Sequence, residues 1–204
     1  MKKRIAIATC VIGIGCILGI AASGSQTIGE LEFSRFSVRH HENGNIARGK
    51  LTKPQEINGL ECQRWVHFHE NAKVSQIQLA KPAKVQKVAV AADSTVFFNP
   101  DGKLRMVWFA KDTKLNGINA RGGAKISTGF HPNGKIASCF LRESVVINGI
   151  PCTASVFKPV FFHDNGKLQS ATLSKDATIQ EVSVEKGDQV QFTTDGKLIR
   201  NQTD

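Results

Sequence analysis

Asn165-Gly166-Lys167-Leu168 joins the end of one strand-like run to the start of the next, and the text after it sets the fold. A run from Leu168 to Leu173 meets a short turn, Ser174-Lys175-Asp176-Ala177, and a second run extends from Thr178 to Val184. A tip, Glu185-Lys186-Gly187-Asp188, leads to a third run, Gln189 to Thr193, which ends at the next such turn. Three short runs bounded by turn formers read as three strands. Asn-Gly is a favoured central pair of a two-residue hairpin, because both positions need positive φ. Outward from this stretch, the same turn or a degenerate form of it recurs at Asn43-Gly44, Asn71-Ala72, Asp101-Gly102, Asn133-Gly134 and Asp195-Gly196. The second residues of the six turns lie 28, 30, 32, 32 and 30 positions apart, a period that marks a repeat array.

Each unit has a constant part and a part that varies by rule. From the apolar residue after the turn, two further anchors follow five and then six positions later: Ile46, Leu51, Ile57; Val74, Leu79, Val85; Leu104, Phe109, Leu115; Ile136, Leu141, Ile147; and Leu168, Leu173, Ile179. From the third anchor to the next Phe before a turn (Phe68, Phe98, Phe130, Phe162, Phe192) the distances are 11, 13, 15, 15 and 13. They differ only in steps of two, as they must if strand faces are to keep their orientation. Lengthening a hairpin by one residue on each strand would add two in this way. The expected fold is all-β: a repeat array of about 30-residue units forming an antiparallel β-meander, with a β-solenoid as the alternative. A unit this small stabilises itself by stacking on its neighbours.

At the N-terminus, Met1-Lys2-Lys3-Arg4 precedes an uncharged apolar stretch from Ile5 to Ala22, the pattern of an export signal. The expected organisation is an export signal peptide over residues 1–23, a linker or first edge strand over 24–37, and a single β-repeat domain over 38–204. Two other fates of the leader stay open, lipid modification at Cys16 or retention as an uncleaved membrane anchor. Either would tether the protein to a membrane. The expected location is periplasmic, secreted or associated with the outer envelope.

Three kinds of residue recur at fixed repeat positions. Cys62 and Cys152 are equivalent, and Cys139 precedes Cys152 across one turn, a spacing that suits a Cys139–Cys152 disulfide in an exported protein. Three buried thiols are the alternative, and Cys62, without a partner in its unit, is a free thiol or an intermolecular link. His41, His69, His131 and His163 share one position before the turn, so stacking would align them in a row able to share a metal, or they are simply polar residues suited to a turn. Lys73, Lys103, Lys135, Lys167 and Lys197 follow the turn, while Lys53, Lys81, Lys111 and Lys175 occupy the next one. Stacked, each set forms a basic ridge. The formal charge of +10 includes Lys2, Lys3 and Arg4, so +7 remains without the leader. Such ridges suit an anionic envelope component, or else they only keep a sheet soluble and block edge pairing.

No glycine-rich phosphate loop, G-x-S-x-G elbow or helical H-E-x-x-H is present, so no catalytic residues and no cofactor are expected. Trp65, Trp108 and the Phe series read as core or packing residues, and without an RNA-binding aromatic signature nucleic acid is not the expected partner. Phe130-His131-Pro132-Asn133-Gly134-Lys135-Ile136 and Phe162-His163-Asp164-Asn165-Gly166-Lys167-Leu168 resemble the MORN-like repeats of antitoxin-like repeat proteins. The resemblance implies a β-hairpin array serving as an interaction or membrane-associating scaffold without catalysis. The chain departs from that pattern in its lack of tyrosine, its longer unit and its export signal. The expectation is a non-enzymatic scaffold that binds an unknown protein or anionic envelope component. The alternatives are a self-associating structural envelope protein and a metal-binding protein.

Overall fold

A computed structural model describes residues 24–199; the predicted leader, Cys16 and the polar tail Asn201 to Asp204 lie outside the described residues. Among the described residues there are 22 strands and no helix. Twelve of the strands form one sheet whose path runs from Arg39–His40 at one edge to Gln189–Gln191 at the other, in chain order. Five small two-stranded sheets complete the chain. Every pairing between strands is antiparallel, which establishes the meander and rules out the solenoid, whose coils would pair in parallel.

A full unit holds four strands, one more than expected. The expected run Thr178 to Val184 is a hairpin, Ala177–Ile179 against Val182–Val184, turned by Gln180 and Glu181 at φ 49° and 68°. The equivalent pairs Asn58-Gly59, Gln86-Lys87, Asn116-Gly117 and Asn148-Gly149 also have positive φ at both positions, as two-residue hairpins of the favoured hand demand. At the turn that defines the repeat only the second residue is left-handed: Gly44, Ala72, Gly102, Gly134, Gly166 and Gly196. The amide of Gly166 reaches the carbonyl of His163 at 2.8 Å, and the amide of His163 reaches the carbonyl of Lys167 at 2.9 Å. This is a three-residue loop closed by a bulge rather than the expected two-residue turn. Its register shift lies between Phe161 and Phe162.

The variable length lies in the connection from each hairpin back to the sheet. Leu60–Phe68 runs on without a break through a bulge at Arg64, whereas later units insert residues 91–94, 121–126, 153–159 and 185–188. The parity of two therefore comes from these connections and not from longer hairpin strands, and Glu185 to Asp188 is a connection rather than a hairpin tip. Parity is kept because strands on both sides of the connection must still present their apolar side to one core.

That core lies between one face of the long sheet and the row of hairpins. From the sheet come Val66, Ile77, Val96, Val107, Cys139, Val160, Ala171 and Val190, and from the hairpins Ile57, Val85, Ile147 and Ile179, all buried in one cluster. The second anchors are the most enclosed: Leu79, Phe109, Leu141 and Leu173 have 0–1% exposure. Burial of each such side chain contributes about 1.5–3 kcal/mol. Residues 24–37 are the segment expected as a linker or first edge strand. They open with a hairpin, Ser25–Ile28 against Leu31–Ser34, that caps the row. Its Phe33 bridges to Leu51 and lies over Gly49, where a Cβ would come within 2.5 Å of the ring.

Candidate functional site

The turn rim is a hydrogen-bonded ladder between successive units. Nε2 of His41, His69, His131 and His163 lies 3.0, 3.0, 2.8 and 2.8 Å from the carbonyls of Phe68, Phe98, Phe162 and Phe192. A carbonyl only accepts, so Nε2 carries the hydrogen and is not available as a metal ligand. Each ring of the row is thus a rung that joins two units through Nε2, and no group of three or more His, Cys, Asp or Glu suited to a metal lies among the described residues. A second rung comes from the turn asparagines: Nδ2 of Asn43, Asn71, Asn133 and Asn165 donates to the carbonyls of Glu70, Pro100, Asp164 and Thr194 at 2.7–2.9 Å. A third comes from the lysines after the turn. Lys135 and Lys167 donate to the carbonyls of Asn165 and Asp195 at 2.8 Å, and Lys73 reaches that of Asp101 at 3.5 Å.

One junction lacks all three rungs. Asn99 and Asp101 stand where the first, second, fourth and fifth turns have His and Asn, and Lys103 turns to its own Asp101 at 3.7 Å. Behind the rim, Gln86, Asn148 and Gln180 on the hairpin turns accept the amides of Leu104, Leu168 and Leu198 in the next unit, but Asn58 and Asn116 make no such bond. Beside Asn116 a cleft of about 310 Å³ opens between units, floored by Ile136, Ile147 and Phe162.

Most of the lysines predicted to form ridges are engaged. Lys197 pairs with Asp195 at 3.5 Å, Lys53 with Glu32 at 3.3 Å and Lys81 with Glu61 at 2.7 Å. Lys53 holds the Glu32 carboxyl below its usual range. Lys111 and Lys175 have no ion pair among the described residues. At the Lys position of the fourth unit stands Glu143, and the adjacent Arg142 meets Asp112 at 2.6 Å.

The predicted Cys139–Cys152 disulfide is not formed, and Cys62, Cys139 and Cys152 are all free and buried. Cys139 pairs with Val160 in the long sheet, whereas Cys152 pairs with Val145 in a hairpin and bridges to Leu173, so the two are not cross-strand partners. Burial pushes the Cys62 thiol up to about 12 and that of Cys152 to about 11, and burial with the neighbouring Cys152 pushes Cys139 to about 12. With 0% exposure, Cys62 cannot serve as an intermolecular link.

The surface that sequence reasoning missed is the outer face of the sheet. Register alignment gives an unbroken row across it: Arg39, Arg48, His67, Gln76, Phe97, Met106, Gly129, Ser138, Phe161, Ser170 and Gln191, each opposite the next. A flanking row begins with Lys50 opposite Trp65 and continues through Gln63, Gln78, Thr95, Trp108 and Ser127. No position in these rows is Asp or Glu. Trp65 and Trp108, expected as core or packing residues, lie here, with Trp65 39% exposed. The Arg48 guanidinium sits 5.6 Å from the Trp65 ring centre and that of Arg105 5.8 Å from Phe97, which meets Trp108 edge-on at 4.6 Å. Burial, and secondly the charge of Arg48, hold the His67 imidazole below its usual pKa. His67, Gln76, Phe97 and Arg105 line a groove of about 310 Å³. The one sequence signal for this face was the alternation within each strand, as in Arg48 and Lys50 on either side of Gly49.

No family model matches the chain, and no curated protein or solved structure matches it.

Proposed function

We propose that the chain is an exported, non-catalytic repeat scaffold of the cell envelope that binds an anionic partner through the outer face of its sheet. The observation that carries this reading is the difference in how cations are used. At the rim most of the lysines meet carbonyls or carboxylates, Lys111 and Lys175 excepted, whereas Arg48, Lys50 and Arg105 on the outer face meet no carboxylate among the described residues. The one carboxylate beside these rows, Asp93, accepts from Gln63 Nε2 at 2.7 Å and pairs with none of the three cations, so their excess creates a positive field that attracts anions. The resemblance to MORN-like repeats supports a scaffold role, and the apolar stretch after Lys2-Lys3-Arg4 supports export. Self-association through the sheet is not adopted, because its edge strands, Arg39–His40 and Gln189–Gln191, are two and three residues long, too short to template pairing well.

Two measurements test this reading. Affinity for a soluble polyanion is expected to fall steeply with added salt, and salt-insensitive binding contradicts an electrostatic partner. The intact mass of protein from its native host is expected to begin near Gly24, and a mass that retains Met1 to Ser23 contradicts cleavage.

A further inference from the structure

Within that reading, we propose that the N-terminal half of the outer face is a binding site for an acidic glycan, a saccharide chain bearing carboxylate or sulfate groups, with Arg48, Arg105 and Trp65 as its principal contacts. The two halves of the face differ. From Arg39 to Trp108 the outer positions include Arg39, Arg48, Lys50 and Arg105 together with Trp65, His67, Phe97 and Trp108. From Ser127 onward the paired positions are Gly129, Ser138, Ser170, Thr172, Gln189 and Gln191, with Phe161 the one ring and no cation. The inner face, by contrast, is mainly apolar in both halves, with Val66, Val96, Val107, Val160 and Val190 all buried and Thr128, opposite Val107, a buried polar exception. Packing therefore does not account for the concentration of Arg and aromatic residues at one end, and these are the side chains that dominate binding energetics at recognition surfaces.

Three features narrow the ligand. The row from Arg39 to Met106 crosses six strands, so at a spacing of about 4.8 Å it is some 24 Å long. It is open along its length and suits a chain rather than one small molecule. Its cations lack carboxylate partners, so the chain is anionic. Between the cations stand Gln76 and Thr95, neutral groups that both donate and accept and so match hydroxyls, and the side-chain oxygens of Gln63 and Gln78, whose amides donate to Asp93 at 2.7 and 3.0 Å, while the exposed Trp65 ring offers a flat apolar surface to the C–H face of a sugar. A single-stranded nucleic acid would need successive open rings for its bases. Here Phe97 is only 6% exposed beneath Arg105 and Trp108. A bilayer would need several protruding apolar side chains, and on this part of the face Trp65 is the one exposed large apolar side chain, beside the guanidiniums of Arg48 and Arg105.

The two tryptophans of the chain, Trp65 and Trp108, both lie on this face, so intrinsic fluorescence reports on the site without a label. The experiment titrates the full chain with an oligogalacturonate and a sulfated heparin-type oligosaccharide, with a single-stranded oligonucleotide of matched charge and phosphatidylglycerol vesicles in parallel. The acidic oligosaccharides are expected to bind most tightly and to protect the tryptophans from acrylamide. Arg48→Ala with Arg105→Ala should weaken that binding by about tenfold or more, Trp65→Phe by less, and Lys135→Ala with Lys167→Ala by under about twofold. All these substituted side chains are at the surface, and a far-UV melt of each variant checks that the fold is kept. Tighter binding to the oligonucleotide or the vesicles, or affinity unchanged in the arginine variant, overturns the glycan site but leaves the anionic-partner reading standing. Binding to none of the four overturns both.

Discussion

The turn rim and the outer face of the sheet are both basic, but their cations do different things. At the rim Lys135 and Lys167 reach across to carbonyls of the next unit at 2.8 Å, alongside His131 and His163 at the same distance. On the face Arg48 and Arg105 lie over aromatic rings and meet no carboxylate. The rim repeats and the face does not. Repetition marks the groups that join one unit to the next, and recognition is to be sought where the repeat is broken. The most periodic charges are therefore the wrong place to look for a partner.

The sharpest way to break this comparison is charge reversal on the face. Arg48→Glu with Arg105→Glu should lower affinity for an acidic oligosaccharide by about a hundredfold or more, the scale on which close charge pairs act, while the melting temperature moves little because both groups are at the surface. Fluorescence titration and a thermal melt on one preparation check both halves of the statement. The reverse pattern is expected at the rim. His131→Ala leaves the Phe162 carbonyl without its rung and should cost about 1–3 kcal/mol of stability in a denaturant melt, with affinity unchanged.

Protonation of His67 probes the face more gently. Burial and then Arg48 lower its pKa, so the native state binds its proton less readily than the unfolded chain. Stability should therefore fall as pH drops through about 6.5, the unfolded value, and level off below the depressed native one. The charged groups in reach are Arg48 and then Arg39 along the row, with Arg105 across the groove, where the imidazole of His69 also lies. Over the same window the added cation should strengthen anion binding. His67→Gln should abolish both effects, and Arg48→Gln should raise the His67 pKa in an NMR titration. The smallest expected effect is a gain: Asn99→His supplies the rung missing between the third and fourth units and should add about 0.5–1.5 kcal/mol, read as a higher denaturation midpoint.

Much of the fold was legible because it depends on local spacing. The anchors at five and six positions are core residues: Leu51, Leu79, Phe109, Leu141 and Leu173 are all buried, and the steps of two did mark strands sharing one core. The second turn was partly in view, since Asn58-Gly59, Asn116-Gly117 and Asn148-Gly149 are hairpin dipeptides, but Gln86-Lys87 and Gln180-Glu181 occupy the same place and hid its regularity. There the hairpin is imposed by pairs such as Ala177 with Val184 and not by turn chemistry. The face was not legible because its residues come from strands far apart in sequence and joined through bulges, such as the shift between Gln63 and His67. Each bulge resets which side chains point outward, so alternation within one strand does not predict the row across several. The histidine row was visible, but the carbonyl each imidazole meets lies 27 to 31 residues away.

The most direct test is the salt dependence of binding to a heparin-type oligosaccharide, compared between the intact chain, Arg48→Ala with Arg105→Ala, and Lys135→Ala with Lys167→Ala. Both variants remove the same formal charge. If the rim holds the repeats and the face holds the ligand, the arginine variant has a clearly shallower dependence of log affinity on log salt, and the lysine variant keeps the slope of the intact chain. Equal loss of slope in the two variants would mean that only net charge matters, and the distinction between rim and face would fall.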